Sequence, residues 1–288
     1  FTNECSSKEI FKAVVPQEHK KPGFVNRRAL KKGKRQKPKV KPPEGKIIIA
    51  RLPGPATDSP QAKTITKPGL SEVRETKYPY SDSQWTVRTE WEDLDRPKGY
   101  DKKVVPRHID DRGEVKKTKG ETPWPAYRIE EVLEAARNTA ANAVMGAEGE
   151  KSVERYRQIG IACVTFMGSA WGKKELELFV KELKKEGLAL VYHPDNDTPG
   201  YEKAQKVSEA CFKEGVYCLI LEPLNLDPGL PEAGDIVDIL ERNPNDEEFE
   251  RILDEEIQRL VAQEENSIFP EAASLDSSEE ENKGYAVE

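Results

Sequence analysis

Two hydrophobic patterns divide the chain. Over residues 46–128 apolar and polar positions alternate in short pieces. Thr76-Lys77-Tyr78-Pro79-Tyr80 and Trp85-Thr86-Val87-Arg88-Thr89-Glu90-Trp91 have the two-residue period of half-buried strands. Ser81-Asp82-Ser83-Gln84 between them reads as a hairpin turn. Ile47-Ile48-Ile49 within Lys46–Leu52, and Lys102–Ile109, read as further strands of the same unit. The pattern predicts a small antiparallel, α+β subdomain over 46–128.

From 129 the period changes. Ile129–Arg137, Gly149–Ile159, Lys173–Glu186 and Pro199–Glu214 have helical spacing. Between them stand short apolar runs: Ala143–Ala147, Ala162–Phe166, Leu188–Tyr192 and Val216–Leu221. Gly187 and Gly215 stand where helices stop. Strands alternating with helices imply an α/β domain over 129–243, a mostly parallel sheet with helices on both faces. A last helix is expected over 244–265, followed by a polar, acidic, disordered tail over 266–288. Ser6–Val14 is a short helix candidate within residues 1–20. Residues 21–45 are too basic and proline-rich to bury a core and read as a linker.

Charge is uneven. Phe1–Arg51 carries 15 Lys and Arg against four acids, whereas Glu241–Glu288 carries 16 Asp and Glu against four bases. The net charge of −7 hides this asymmetry. A basic head suits a polyanion, with Arg27, Arg28, Lys31, Lys32, Lys34 and Arg35 as candidate nucleic-acid contacts. The competing explanation is a solvated linker. No apolar run approaches the ~20 residues of a membrane helix, so a helical membrane span is excluded. Cys5, Cys163, Cys211 and Cys218 have neither zinc nor disulfide-framework spacing, which suits a reducing cytoplasm. The chain opens Phe1-Thr2-Asn3 with no signal pattern and reads as a piece of a longer protein.

In an open parallel sheet, sites form beyond the carboxyl ends of the strands. Three such ends here carry acids. Ala143–Ala147 runs into Glu148-Gly149-Glu150-Lys151, and Leu188–Tyr192 into His193-Pro194-Asp195-Asn196-Asp197-Thr198-Pro199-Gly200. The strand ending at Leu221 is followed, after a loop, by Asp235-Ile236-Val237-Asp238. In extended chain Asp195 and Asp197 share a side. If the strands are neighbours, Glu148, Asp195 and Asp197 converge. Converging carboxylates need neutralising, which a hard divalent cation does while also binding phosphate oxygens.

These motifs resemble a TOPRIM domain of the kind found in bacterial replicative primases, type IA and type II topoisomerases and some nucleases. The Glu148-Gly149-Glu150-Lys151 run, the turn Phe166-Met167-Gly168-Ser169-Ala170-Trp171, the Asp195-Asn196-Asp197 run with Gly200, and Asp235 with Asp238 carry the resemblance. It covers roughly 143–240 and is nearest to primase-like proteins of phages, plasmids and mobile elements. Trp124-Pro125-Ala126-Tyr127-Arg128 looks like the segment ahead of TOPRIM in those proteins. Phe1–Ile10 is similar to the end of a primase zinc ribbon. Cys5 alone cannot hold structural zinc, so no zinc is expected in this chain. Two features depart from the family: Ser152 stands where a second acid is usual, and Asp235-x-x-Asp238 replaces a Lys-Asp-x-Asp pattern.

The resemblance implies a primase-like nucleotidyltransferase making or extending short primers on a single-stranded DNA template from nucleoside triphosphates. A helicase domain or protein is the implied companion. Glu148, Asp195, Asp197 and Lys151 would be catalytic. Glu148, Asp195, Asp197, Asp235 and Asp238 would hold Mg²⁺ or Mn²⁺. The alternatives are a TOPRIM nuclease using the same acids, or an inactive nucleic-acid-binding module. Singly, each acid also has a plain explanation. Glu148 sits where a helix dipole favours an acid, Asp195 and Asp197 are good turn formers, and Asp235 is a good helix cap. His193 is expected to be structural, and Trp85, Trp91 and Trp124 to pack in a core or an interface rather than stack on bases.

Overall fold

The computed structural model describes residues 40–96, 99–167 and 172–268. The Ser6–Val14 helix, Cys5, the basic residues 27–35, the turn from Gly168 to Trp171 and the tail from 269 lie outside the described residues.

The alternating segment folds as one sheet of five antiparallel strands in sequence order. These are β1 (Lys63–Lys67), β2 (Leu70–Ser81), β3 (Gln84–Glu92), β4 (Tyr100–Ile109) and β5 (Val115–Lys116). Tyr78 pairs with Thr86, Pro79 with Trp85 and Ser81 with Gln84, so the hairpin closes at Asp82-Ser83, inside the expected turn. The expected α+β unit is all-β among the described residues. Prolines 53, 55, 60, 123 and 125 punctuate the flanking segments and deny them helical runs.

Ile47–Ile49 does not join that sheet. Ile49 bridges to Ala143 in parallel and Arg51 to Ile161 in antiparallel. Ala50 N–H donates to the Ala143 carbonyl at 2.9 Å, and Ala162 N–H to the Ala50 carbonyl at 3.1 Å. Ile47, Ile49 and Ala50 are buried. Ile48 between them is 51% exposed, so the run is an edge segment buried on one face, and alternation alone could not tell which sheet it serves.

The second half runs α1 (Ile129–Thr139), β6 (Ala143–Ala147), α2 (Glu150–Gln158), β7 (Cys163–Val164), α3 (Lys173–Glu186), β8 (Ala189–His193), α4 (Thr198–Glu214), β9 (Cys218–Ile220), α5 (Pro223–Leu226), α6 (Ile236–Arg242) and α7 (Asp246–Ile268). The four strands pair in the order β7-β6-β8-β9, all parallel. Every residue of β6 and β8 is buried, as expected for strands covered on both faces. On one face Val144, Val164, Leu190 and Tyr192 pack with residues of α1, α3 and α4. On the other Met145, Cys163, Val191 and Leu219 pack with α2, α6 and α7.

The two sheets are joined by side chains. Tyr78 and Tyr80 of β2 stand against Tyr127 and Trp124 in the second core. Glu150, buried at the start of α2, accepts hydrogen bonds from Tyr80 Oη and Thr86 Oγ1, each at 2.8 Å. Further along α2, Arg157 is 1% exposed and pairs with Glu131, Glu154 and Asp58. These bonds lock α2 to α1 and to the 53–58 segment, and so fix the helix that follows Glu148.

Candidate metal centre

In the order β7-β6-β8-β9 the chain leaves β6 to one side for β7, then returns to the other side for β8. The crevice beyond the carboxyl ends of β6 and β8 is the point where open α/β sheets place ligands. Glu148 follows β6, and Asp195 lies two residues beyond β8.

Local chain chemistry sets each position. Gly149 has φ 82° and ψ 155°, a conformation essentially closed to residues with a Cβ. It turns the chain from β6 into α2, and its N–H donates to Thr165 Oγ1 at 3.0 Å. The Asp-Asn-Asp run divides three tasks. Asp197 N-caps α4, accepting from Gly200 N–H at 2.7 Å. Asn196 clips the loop ahead of α6 by donating from Nδ2 to the Leu230 and Pro231 carbonyls at 3.2 and 2.9 Å. Its N–H also donates to the Gly234 carbonyl at 2.9 Å. The Asp195 carboxyl is largely buried, within electrostatic reach of Glu148. Gly200 permits this packing, because a Cβ there would lie 2.4 Å from the Asp195 carbonyl oxygen.

The clip brings Asp235 near. The Asp195 carboxyl is pushed up to about 8, first by burial and then by the negative charges of Glu148, Asp235 and Asp197. Lys203 opposes that rise. The Glu148, Asp195, Asp197 and Asp235 carboxylates therefore share one electrostatic environment. Asp235 and Asp238 also form a reciprocal capping box on α6. Asp235 Oδ1 accepts from Val237 N–H at 2.7 Å, and Asp238 Oδ2 from Asp235 N–H at 2.9 Å. Asp238 Oδ2 is thus turned to the start of α6, while Asp235 caps the helix. Among the described residues, no group of three or more His, Cys, Asp or Glu side chains stands close enough to hold a metal ion as it is.

Two further groups define the site. Lys203, in the second turn of α4, forms an ion pair with Glu148 Oε1 and is only 5% exposed. The other Glu148 oxygen, Oε2, is buried and without a hydrogen-bond partner. Lys151 points elsewhere: its Nζ lies 3.7 Å from Glu90 Oε1 and 5.5 Å from the Tyr100 ring centroid, against the antiparallel sheet. His193 is buried on the α2 side of β8. Its Nδ1 is 2.6 Å from Tyr156 Oη, and burial pushes its pKa down to about 3, so the ring is neutral. Ser152, the departure from the family pattern, is buried on α2. Trp124 is a core residue, as expected, and Lys77 Nζ sits 4.3 Å from the Trp85 ring centroid.

Lys203 is absent from the candidates drawn from the sequence. Its signal was present. Gly200, Lys203, Ala204, Val207 and Cys211 form the buried stripe of α4, and a lysine in such a stripe needs an anionic partner.

No family model matches the chain, and no curated protein matches it. Among solved structures it is similar to the Aquifex aeolicus primase zinc-binding and RNA polymerase domains, with 18% identity and a TM-score of 0.41 over 67% of this chain. The chain spans 43% of the length of that one. It is also similar to a chain of the bacteriophage T7 lagging-strand DNA polymerase structure with primase domains of two gp4 subunits bound to an RNA/DNA hybrid and dTTP. There the identity is 14% and the TM-score 0.32, over 67% of this chain and 91% of that one. At such distances the chemistry has to be read from the site itself. Among the described residues, no helix is long and apolar enough to cross a membrane.

Proposed function

We propose that this chain is a primase-like nucleotidyltransferase of the TOPRIM type, joining nucleotides on a single-stranded DNA template at the crevice between β6 and β8. The observation that carries this is the Glu148–Asp195 corner. An unpartnered buried carboxylate oxygen faces the switch point of a parallel sheet, beside a carboxyl whose ionisation its neighbours oppose. An all-oxygen donor set of this kind fits Mg²⁺ or Mn²⁺. Glu148 and Asp195 would hold the ion, with Asp197 and Asp235 adding negative charge.

When bound, such an ion neutralises phosphate oxygens and stabilises the charge that develops as pyrophosphate leaves. The chain's own contribution is positioning. The Glu150 and Arg157 contacts fix α2 and hold Glu148 in place, while Asn196 holds the Asp235 loop against Asp195. Lys151, 42% exposed beside the antiparallel sheet, would meet a phosphate arriving along that sheet. The basic residues 27–35 would serve the template. A helicase partner belongs to the same proposal.

A second reading has its own support. Lys203 already satisfies one Glu148 oxygen, and no ready-made metal cluster exists among the described residues. Both suit a nucleic-acid-binding module without catalysis. One assay separates the readings: the full chain on labelled single-stranded DNA, with and without all NTPs and dNTPs, in Mg²⁺ and in Mn²⁺. Nucleotide-dependent new oligonucleotides support the transferase. Template shortened without nucleotides would make the chain a nuclease, and metal-independent binding with no product would leave the module.

A further inference from the structure

Lys203 lies in the middle of the buried stripe of α4, flanked by Gly200, Ala204 and Val207. Side chains on a helix lean toward its N-terminus, so a lysine from the second turn rises alongside Asp197 toward the strand ends. There its ammonium meets Glu148 Oε1. It is a cation set among the carboxylates around Asp195, where Glu148, Asp235 and Asp197 gather. A buried ammonium and a buried carboxylate are each costly alone, and together they satisfy one another only in part. Glu148 Oε2 stays buried and unpartnered, so the pair satisfies only one of the two carboxylate oxygens.

We propose that Lys203 is a resident counter-cation that holds the place of the divalent ion at Glu148 and is displaced when that ion binds. This rests on the cation site proposed above. It reconciles the two observations that pull apart there, an oxygen-rich crevice and the lack of a ready-made cluster. Lys203 ties α4 to the turn that carries Glu148. The same ion pair sets a threshold, because a divalent ion must outcompete it. A long, unbranched side chain suits that role, since it can swing along α4 without moving the backbone. Lys203 is on this view a positioning residue acting through Glu148.

The sign of one substitution decides the matter. The test is Mn²⁺ binding to the full chain, followed by loss of the free-ion electron paramagnetic resonance signal, with the metal-free melting temperature read alongside. Lys203→Met keeps the length and apolar stem but removes the charge. It should bind Mn²⁺ roughly tenfold or more tightly than wild type, the scale of removing one close like charge from a half-buried site. Its melting temperature should fall in EDTA and recover on Mn²⁺ by more than that of wild type. The gain should vanish in the Lys203→Met/Glu148→Gln pair. If Lys203→Met does not fold without metal, Lys203→Arg serves instead. A guanidinium grips a carboxylate more firmly, so Mn²⁺ binding should weaken severalfold.

Wild-type binding that Lys203→Met leaves unchanged or weakens would overturn the counter-cation while leaving the metal site standing. Unchanged Mn²⁺ affinity in Lys203→Arg would do the same. If neither wild type nor Lys203→Met binds Mn²⁺, both proposals fall together.

Discussion

Replacing Asp195 by asparagine removes the carboxyl that its surroundings most oppose. In the folded protein that carboxyl keeps its proton up to about pH 8, against an ordinary value of 3.8 in the unfolded chain. Between these limits the folded state binds one proton more than the unfolded state. The stability this group contributes is therefore complete below about pH 4 and is lost as pH rises through about 8. A gap of about four units, at ~1.4 kcal/mol per unit, sets an upper bound near ~6 kcal/mol. Water at the mouth of the crevice reduces that to on the order of 3–5 kcal/mol. Asparagine has the same shape and does not titrate. Urea unfolding in EDTA at pH 5, 6, 7 and 8, for wild type and Asp195→Asn, measures the difference directly. The variant should gain on wild type steadily across that range, by up to ~1.4 kcal/mol per pH unit. A difference that stays flat with pH would refute the claim that burial, with the charges of Glu148, Asp235 and Asp197, holds the proton on this carboxyl.

Arg157→Met should destabilise the fold by about 1–3 kcal/mol in denaturant titration, because the buried Glu154 Oε2 would lose its partner while Oε1 keeps Tyr127 and Arg128, and Glu131 would lose its partner too. Gly200→Ala should cost about 1–3 kcal/mol, since the added Cβ meets the Asp195 carbonyl at 2.4 Å; calorimetry should show a lowered melting temperature even in excess Mn²⁺. Lys151→Ala should leave Mn²⁺ affinity unchanged and change stability by no more than about 0.5 kcal/mol, because its ion pair with Glu90 is long and half-exposed; any loss should appear in the KM for nucleotide.

The parallel half of the fold is legible because its signals are local and agree. The apolar runs at Ala143–Ala147 and Leu188–Tyr192 coincide with β6 and β8 to within a residue, and Lys173–Glu186 is α3 to the residue. The β2–β3 hairpin is legible for the same reason, through alternation around a polar turn. β1 and β5 carry too few apolar residues to announce themselves, and they are edge strands with little to bury. Ile47–Ile49 is visible as a strand-like run, yet its partner is set by tertiary packing against Ala143 and Ile161.

At the site, the positions of Glu148 and Asp195 follow from strand order, and strand order is not written in any single segment. What sequence could not give is direction. Glu150 and Lys151 stand next to Glu148, but helical rotation aims both at the antiparallel sheet. Asp197 spends Oδ1 on capping α4, a bond that the two-residue spacing from Asp195 does not announce. Lys203 lies 55 residues from Glu148 along the chain, so only the fold makes them partners.

The most direct measurement is anomalous scattering from crystals of the full chain soaked in Mn²⁺. A peak within about 2.2 Å of a Glu148 carboxylate oxygen and beside Asp195, with the Lys203 ammonium moved away, is expected for a divalent-cation centre of hard oxygen ligands. Manganese peaks elsewhere, with Lys203 still paired to Glu148, would contradict it.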